Sequence, residues 1–232
     1  MTDIAANIAN IRARIDAACR RADRSPAEVR LIAVSKIKPA QQIDAAFACG
    51  QRRFGESYVQ EFRDKSPEVQ SPVEWHFLGG LQSNKVKYLR GKVAMIHSVD
   101  RLSLAEEISR QWQKIDQSVD ILLQVNIGEE PQKSGCAPAE LEALVRPVAE
   151  LPNLRLCGLM CLPPNFADPE QVRPYFRRMR ELAEQLNRLR LPGVTLTELS
   201  MGMSDDFEVA VEEGATLVRV GTAIFGERLR TH

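Results

Sequence analysis

The stretch LIAVSK, residues 31–36, sets four apolar residues in a row against a serine and a lysine. A short continuous apolar run is the signature of a strand buried on both faces. An ammonium is among the groups least readily carried into an interior, so Lys36 marks where this strand leaves the core. The same design recurs in RRFGES (52–57), EWHFLG (74–79), VAMIHSV (93–99), VDILLQVN (119–126), LRLCGLMCL (154–162), VTLTELS (194–200) and TLVRVG (216–221).

Between these runs the apolar spacing changes to that of helices. Residues 3–22 form an amphipathic helix through Ile4, Ile8, Ile11, Ile15 and Ala18. Pro39 opens a helix carrying Ile43 and Phe47 that Gly50 ends. YVQEFRDK follows the second run and SNKVKYLRG the third. Asp100 is expected to cap a helix with Ala105, Ile108, Trp112 and Ile115 on one side, and Pro147 to kink or shorten the next. A helix over 169–190 faces Phe176, Met179, Leu182, Leu186 and Leu189 inward, with Pro169 or Pro174 in its first turn. Another is expected from Ser204 to Gly214, and a short helical start at TAIFGERL. Eight strand-like runs alternating with helices imply a parallel sheet, most simply closed as a single (β/α)8 TIM barrel with an extra N-terminal helix, one domain over residues 1–232. The alternative, an open doubly wound sheet, leads one to expect a GxGxxG fingerprint after an early strand, and the sequence has none.

Lys and Arg total 31 and Asp and Glu total 31, so the formal charge is zero, which argues against nucleic acid or an anionic membrane as partner. The start MTDIAANIANIRARI lacks a secretory pattern, and no apolar run is long enough to span a membrane. Cys19, Cys49, Cys136, Cys157 and Cys161 lack CxxC spacing and read as ordinary thiols of a cytoplasmic protein. His76, His97 and His232 have no metal-ligand spacing.

In such a barrel the working face lies at the carboxyl ends of the strands. Lys36 stands there, where apolar walls favour the neutral amine suited to condensing with an aldehyde or ketone; the plainer reading is a lysine snorkelling to the rim. Gly221 and Thr222 open a short helix directly after the eighth run, the usual phosphate cradle of these barrels, and Ser200 ends the neighbouring seventh run with a hydroxyl able to donate. Arg219 shares the inward side with Gly221, since Val218 and Val220 point the other way. Its plainer reading is an ion pair with Glu198 or Glu208. A guanidinium only donates, so an aromatic nitrogen facing it stays an unprotonated acceptor. An aldehyde-condensing lysine, a phosphate cradle and an arginine for a ring nitrogen match the three handles of pyridoxal 5′-phosphate (PLP).

LIAVSK, RRFGESYVQE, EWHFLGGLQSNK, HSVDRLSLAEEI, QVNIGEEPQKSG, GLMCLPP and ELSMGMSDDFEVAVEEGATLVRVGTAIFG occur in order over residues 30–227. On these stretches the chain resembles the pyridoxal-phosphate homeostasis proteins, related to the N-terminal barrel of alanine racemases. The resemblance implies that Lys36 holds PLP as a Schiff base, that Ser200, Gly221 and Thr222 with the Met201 amide bind its phosphate, and that Arg219 faces the pyridine nitrogen. It also implies a PLP carrier that buffers the cofactor and supplies apo PLP-dependent enzymes without turnover; separately, the chain is expected to be cytoplasmic and a monomer. The family's usual GENY is here Gly55-Glu56-Ser57-Tyr58, so the amide donor of an asparagine is missing at Ser57. His76 and Lys133 also fall near the mouth by strand position; the first reads as a structural histidine and the second as a loop charge. Two alternatives share the lysine. An amino-acid racemase needs acid–base groups on both faces of the substrate, and the racemases draw the second from a further β domain for which the barrel leaves no residues. A Schiff-base aldolase would use the lysine and cradle with no coloured cofactor.

Overall fold

The computed structural model describes residues 2–226. Among them, eight parallel strands close into a barrel in chain order. These are β1 (Arg30–Val34), β2 (Arg53–Glu56), β3 (Glu74–Phe77), β4 (Met95–Val99), β5 (Val119–Val125), β6 (Leu154–Cys161), β7 (Glu198–Ser200) and β8 (Leu217–Val220). The intervening helices are α2 (Ala40–Ala48), α3 (Val59–Lys65), α4 (Leu102–Gln113), α5 (Leu141–Ala149), α6 (Arg173–Arg188) and α7 (Phe207–Glu212), with α1 (Ile4–Arg21) before the barrel and α8 (Thr222–Phe225) after it. Residues 83–88, after β3, form a 3-10 turn. His232 lies outside the described residues, and no helix among those described is long and apolar enough to cross a membrane.

The period of two along each strand sorts side chains into two cores. Leu31, Ala33, Phe54, Trp75, Phe77, Ile96, Ile121, Leu123, Val218 and Val220 point outward and pack beneath the helices. Ile32, Leu78, Met95, Leu122, Met160 and Leu217 fill the barrel itself. Its amino end carries ion pairs between strands, Arg30 of β1 with Glu198 of β7 across β8, and, between neighbours, Arg53 with Glu74 (3.0 Å) and Arg155 with Asp120 (2.6 Å). The side chains of these pairs are partly exposed, so they contribute little to stability but keep that end polar. At Gly158 the register of β5 on β6 shifts, and a Cβ there would lie 1.9 Å from the Glu198 carbonyl. Only glycine permits this approach of β6 to β7.

Closure of the barrel sets Ala33 opposite Val220 and so brings the ends of β1 and β8 side by side. The first helix secures that seam. Asp3 caps it by accepting from the Ala6 amide (2.9 Å), and Ile8, Ile11, Ile15 and Ala18 are buried. Asn7 Nδ2 donates to the Ile224 carbonyl of α8 at 2.9 Å, and Arg14 pairs with Glu208 of α7 at 2.7 Å.

Local expectations differ from the structure in four places. Asp100 does not cap α4; the cap position is Arg101, without a side-chain bond, and Asp100 instead accepts from the Arg101 guanidinium (2.7 Å). The seventh run yields a strand of only three residues, because Leu196 NH and C=O pair with the Asn187 side chain at the end of α6 rather than with a strand. The helix expected from Ser204 begins at Phe207, because the Asp206 carboxylate takes the Met203 amide (2.6 Å) and holds the preceding residues as a turn. Residues 169–190 divide, with Pro169 opening a 3-10 turn and Pro174 in the first turn of α6. Pro147 lies inside α5, which ends two residues later.

Candidate functional site

Above the inner core, at the carboxyl ends of the strands, lies a cavity of about 610 Å³ lined by Lys36, Arg219, Gly221 and Thr222 among others. That volume suits a small cofactor. Each of these side chains arrives there for a local reason. After β1, Ser35 is buried and Lys36 half-buried, and Ile37 turns the chain in the left-handed region (φ 63°). A β-branched residue resists that conformation, so the turn must be held from outside. The Ile37 amide donates to Glu61 Oε1 (2.5 Å), and the Lys38 amide to the Ser35 carbonyl (3.0 Å). Behind it, Ser35 Oγ donates to Glu56 Oε1 (2.7 Å), a carboxylate with no solvent exposure. Lys65 Nζ donates to the same oxygen (2.9 Å), to the Ser35 carbonyl (2.9 Å) and to Glu61. Burial pushes the Glu56 carboxyl above its ordinary range, and the Lys65 ammonium opposes that rise. This cluster behind Lys36 escaped the sequence reading.

On the opposite side of the seam, a Cβ on Gly221 would lie 3.1 Å from the Val34 carbonyl and 3.3 Å from Val34 Cβ. The missing Cβ eases that close passage; the glycine's φ of −119° is open to any residue. Thr222 is exposed in the first turn of α8, whose backbone first turns back on itself at Ile224 N to Gly221 O (2.9 Å). Lys38 Nζ closes the other end of α8 by donating to the carbonyls of Phe225 (3.0 Å) and Gly226 (3.1 Å).

Arg219 is 4% exposed and forms none of the expected ion pairs: Glu198 pairs with Arg30 and Glu208 with Arg14. Its Nη1 donates to Ser200 Oγ and its Nη2 to the Cys161 carbonyl, both at 2.8 Å. Burial lowers its pKa, opposed by Cys161 and Asp206. Two of its five donors are thus committed to protein acceptors, and the guanidinium still borders the cavity.

Ser200 and Met201 depart from expectation. Both are fully buried and neither lines the cavity. Ser200 points inward one layer below the mouth, where its Oγ meets Arg219 and lies 2.8 Å from His97 Nδ1. The Met201 amide is spent on the Leu217 carbonyl (3.1 Å) in the seam between β7 and β8. The cavity wall on this side is built instead by Met203, Ser204 and Asp205. Ser57 does line the cavity. So does Lys133, whose Nζ donates to the Pro163 carbonyl at 2.8 Å and pairs with Glu130 at 2.5 Å. His76 is not at the mouth; it sits deep in the barrel, Nδ1 2.8 Å from His97 Nε2 and Nε2 3.1 Å from Glu74 Oε1. Around the rim stand Ile37, Tyr58, Leu162 and Met203, apolar side chains left exposed. Lys36, Lys38, Lys133 and Arg219 against Asp205 make the lining cationic, which suits an anion.

Burial, with the nearby His76, Arg219 and Arg30, holds the His97 pKa well below the usual 6.5. The folded protein therefore resists a proton that the unfolded chain accepts. The stability gained by keeping His97 neutral is complete above pH 6.5 and is lost as the pH falls toward the lower folded value. Urea midpoints should fall with acidification from about pH 6.5 to about pH 5, at up to about 1.4 kcal/mol per pH unit. His97→Gln should flatten that slope, and an unchanged slope would assign it to other groups.

Residues 6–229 match the family described as alanine racemase, N-terminal domain. The pyridoxal phosphate homeostasis protein of Aquifex aeolicus is 49% identical over 216 residues, covering 93% of this chain and 94% of that protein. The protein of the same name from Pseudomonas aeruginosa is 48% identical over 229 residues, covering 98% and 97%. The solved structure of PipY from Synechococcus elongatus with PLP bound superposes with a TM-score of 0.85 at 38% identity, covering 97% of this chain and 100% of that one.

Proposed function

The chain belongs to the pyridoxal phosphate homeostasis proteins, within the alanine racemase N-terminal domain family, and from that membership we propose that it binds PLP at the barrel mouth, anchors it on Lys36, and holds it reversibly for apo-enzymes. The single observation that carries this reading is that Lys36, Arg219, Gly221 and Thr222 line one cavity, although the first and last are separated by nearly the whole sequence. When bound, the cofactor supplies an aldehyde that condenses reversibly with a primary amine, and a pyridine ring.

The residues fit such a group. Lys36 brings an amine to a cavity lined by polar and cationic groups as well as Val34, Leu78 and Leu162, and Gly221, without a Cβ, lets the start of α8 lie close against the end of β1. Thr222, with Ser204 in the part expected of Ser200, offers hydroxyls to phosphate oxygens. Arg219 presents a donor-only group to the ring nitrogen, which stays unprotonated. An unprotonated ring is a poor electron sink, so the arginine favours storage over carbanion chemistry at an amino acid. PLP bound to PipY supports the ligand, and the names of the two homeostasis proteins support the role.

Adding PLP to the purified protein should produce a visible band, and borohydride should then fix the cofactor on the peptide containing Lys36. A protein that gains no band overturns the ligand. Interconversion of alanine enantiomers by the loaded protein, lost in Lys36→Ala, overturns the storage role.

A further inference from the structure

Below the cavity an unbroken run of hydrogen bonds crosses the barrel: Arg219 to Ser200, Ser200 to His97, His97 to His76, and His76 to Glu74. Its ends have fixed roles. The guanidinium can only donate, and an ionised carboxylate can only accept. From the Arg219 end, Ser200 Oγ accepts, and its own hydrogen has His97 Nδ1 within reach at 2.8 Å. A neutral His97 then carries its hydrogen on Nε2 and donates to His76 Nδ1, and His76 in turn donates from Nε2 to Glu74. Working back from Glu74 gives the same direction at every bond. With both rings neutral, each carries its hydrogen on Nε2, and every bond of the run has one donor and one acceptor.

We propose that His97 and His76 are positioning residues for Arg219: they keep Ser200 as an acceptor toward the guanidinium and so fix which of its N–H groups face the cavity. This rests on the reading of Arg219 as the partner of the cofactor ring. The depth of the run gives it this reach. His97, Ser200 and His76 are all at most 2% exposed, so no water replaces a lost partner. Only Glu74 approaches solvent, its side chain 40% exposed and also accepting from Arg53 Nε at 3.0 Å. A proton gained by either ring ends with a hydrogen on His97 Nδ1. Ser200 then accepts from both sides, its own hydrogen has no acceptor in the run, and its hold on Arg219 weakens. The charged groups facing the two rings are Glu74 and Arg53 from below, Arg219 from β8 and, at longer range, Arg30 from β1.

Nitrogen NMR of the histidine-labelled protein without cofactor should find both buried rings neutral and protonated on Nε2 at neutral pH. A hydrogen on His97 Nδ1 would overturn the assignment, and this measurement needs no variant. In His97→Leu the Arg219 guanidinium signals should change from slow to fast hydrogen exchange, and PLP should be held about five- to tenfold less tightly with an altered visible band. His97→Gln, whose amide can accept from Ser200 and donate to His76, should recover affinity and band to within about twofold. A folded His97→Leu protein with parental guanidinium exchange overturns the positioning role. If the parent takes up no PLP, the guanidinium and tautomer signals still decide the run, and only the ligand reading fails.

Discussion

Lys36→Ala should leave hydride reduction nothing to fix: covalently retained PLP falls to background, while the fold survives. Two other lysines line the cavity, and their geometry explains why neither substitutes. Lys38 Nζ is spent on the carbonyls that end α8, and Lys133 Nζ on the Pro163 carbonyl and Glu130. Lys38→Ala and Lys133→Ala should therefore retain the label on Lys36. Lys36 is half-buried beyond the end of β1, outside both cores, so its truncation should leave the protein folded. Mass spectrometry after reduction measures the first effect and urea denaturation the second. A label of parental stoichiometry in Lys36→Ala would move the anchor elsewhere.

Lys65→Met should be the most destabilising single change near the site, at about 3–5 kcal/mol, because it strands a carboxylate inside the protein. Glu56 is fully buried, its Oε2 already lacks a partner, and Lys65 supplies the opposing charge at 2.9 Å. Without that ammonium, Glu56 meets only Ser35 Oγ and the like charge of Glu61. The pH dependence carries a definite sign. The folded pKa of Glu56 lies above the ordinary 4.5 and should rise further in the variant. Stability linked to it is then complete below 4.5 and is lost as the pH rises through the folded value. The deficit against the parent should thus shrink on acidification. Glu56→Leu added to Lys65→Met should recover much of the loss, since an apolar pair of similar volume often matches a buried ion pair. Covalent labelling should also slow in Lys65→Met, because Lys65 steadies both the Ser35 carbonyl and Glu61, which hold the turn carrying Lys36. A deficit below about 1 kcal/mol would mean that Glu56 is protonated in the parent and that the pair is not ionic.

Strand ends were readable because apolar runs stop where the chain meets polar surroundings, and LIAVSK and TLVRVG each stop at a residue of the cavity. Alternation along TLVRVG correctly turned Arg219 inward. Alternation gives a face but not a height: Ser200 shares the inward face but lies below the cavity lining, against His97 and Arg219. The Met201 amide was lost to a backbone pairing that no residue type announces. Strand position alone sets His76 near the mouth and shows no link to His97; their meeting depends on β3 and β4 lying side by side. Glu56 and Lys65 sit on a strand and the following helix, and nothing local shows that α3 folds its lysine back under Ser35.

The seam between β1 and β8 has a temporal consequence. Lys36 and Gly221 become neighbours only when the last strand docks on the first, a closure across most of the chain whose entropic cost falls late in folding. A chain lacking β8 possesses the lysine but not the wall that Arg219, Gly221 and Thr222 give the cavity, so tight retention of a ligand should await closure of the ring. Occupancy by ligand then acts as a latch on the finished ring, raising its resistance to unfolding in proportion to the logarithm of free ligand.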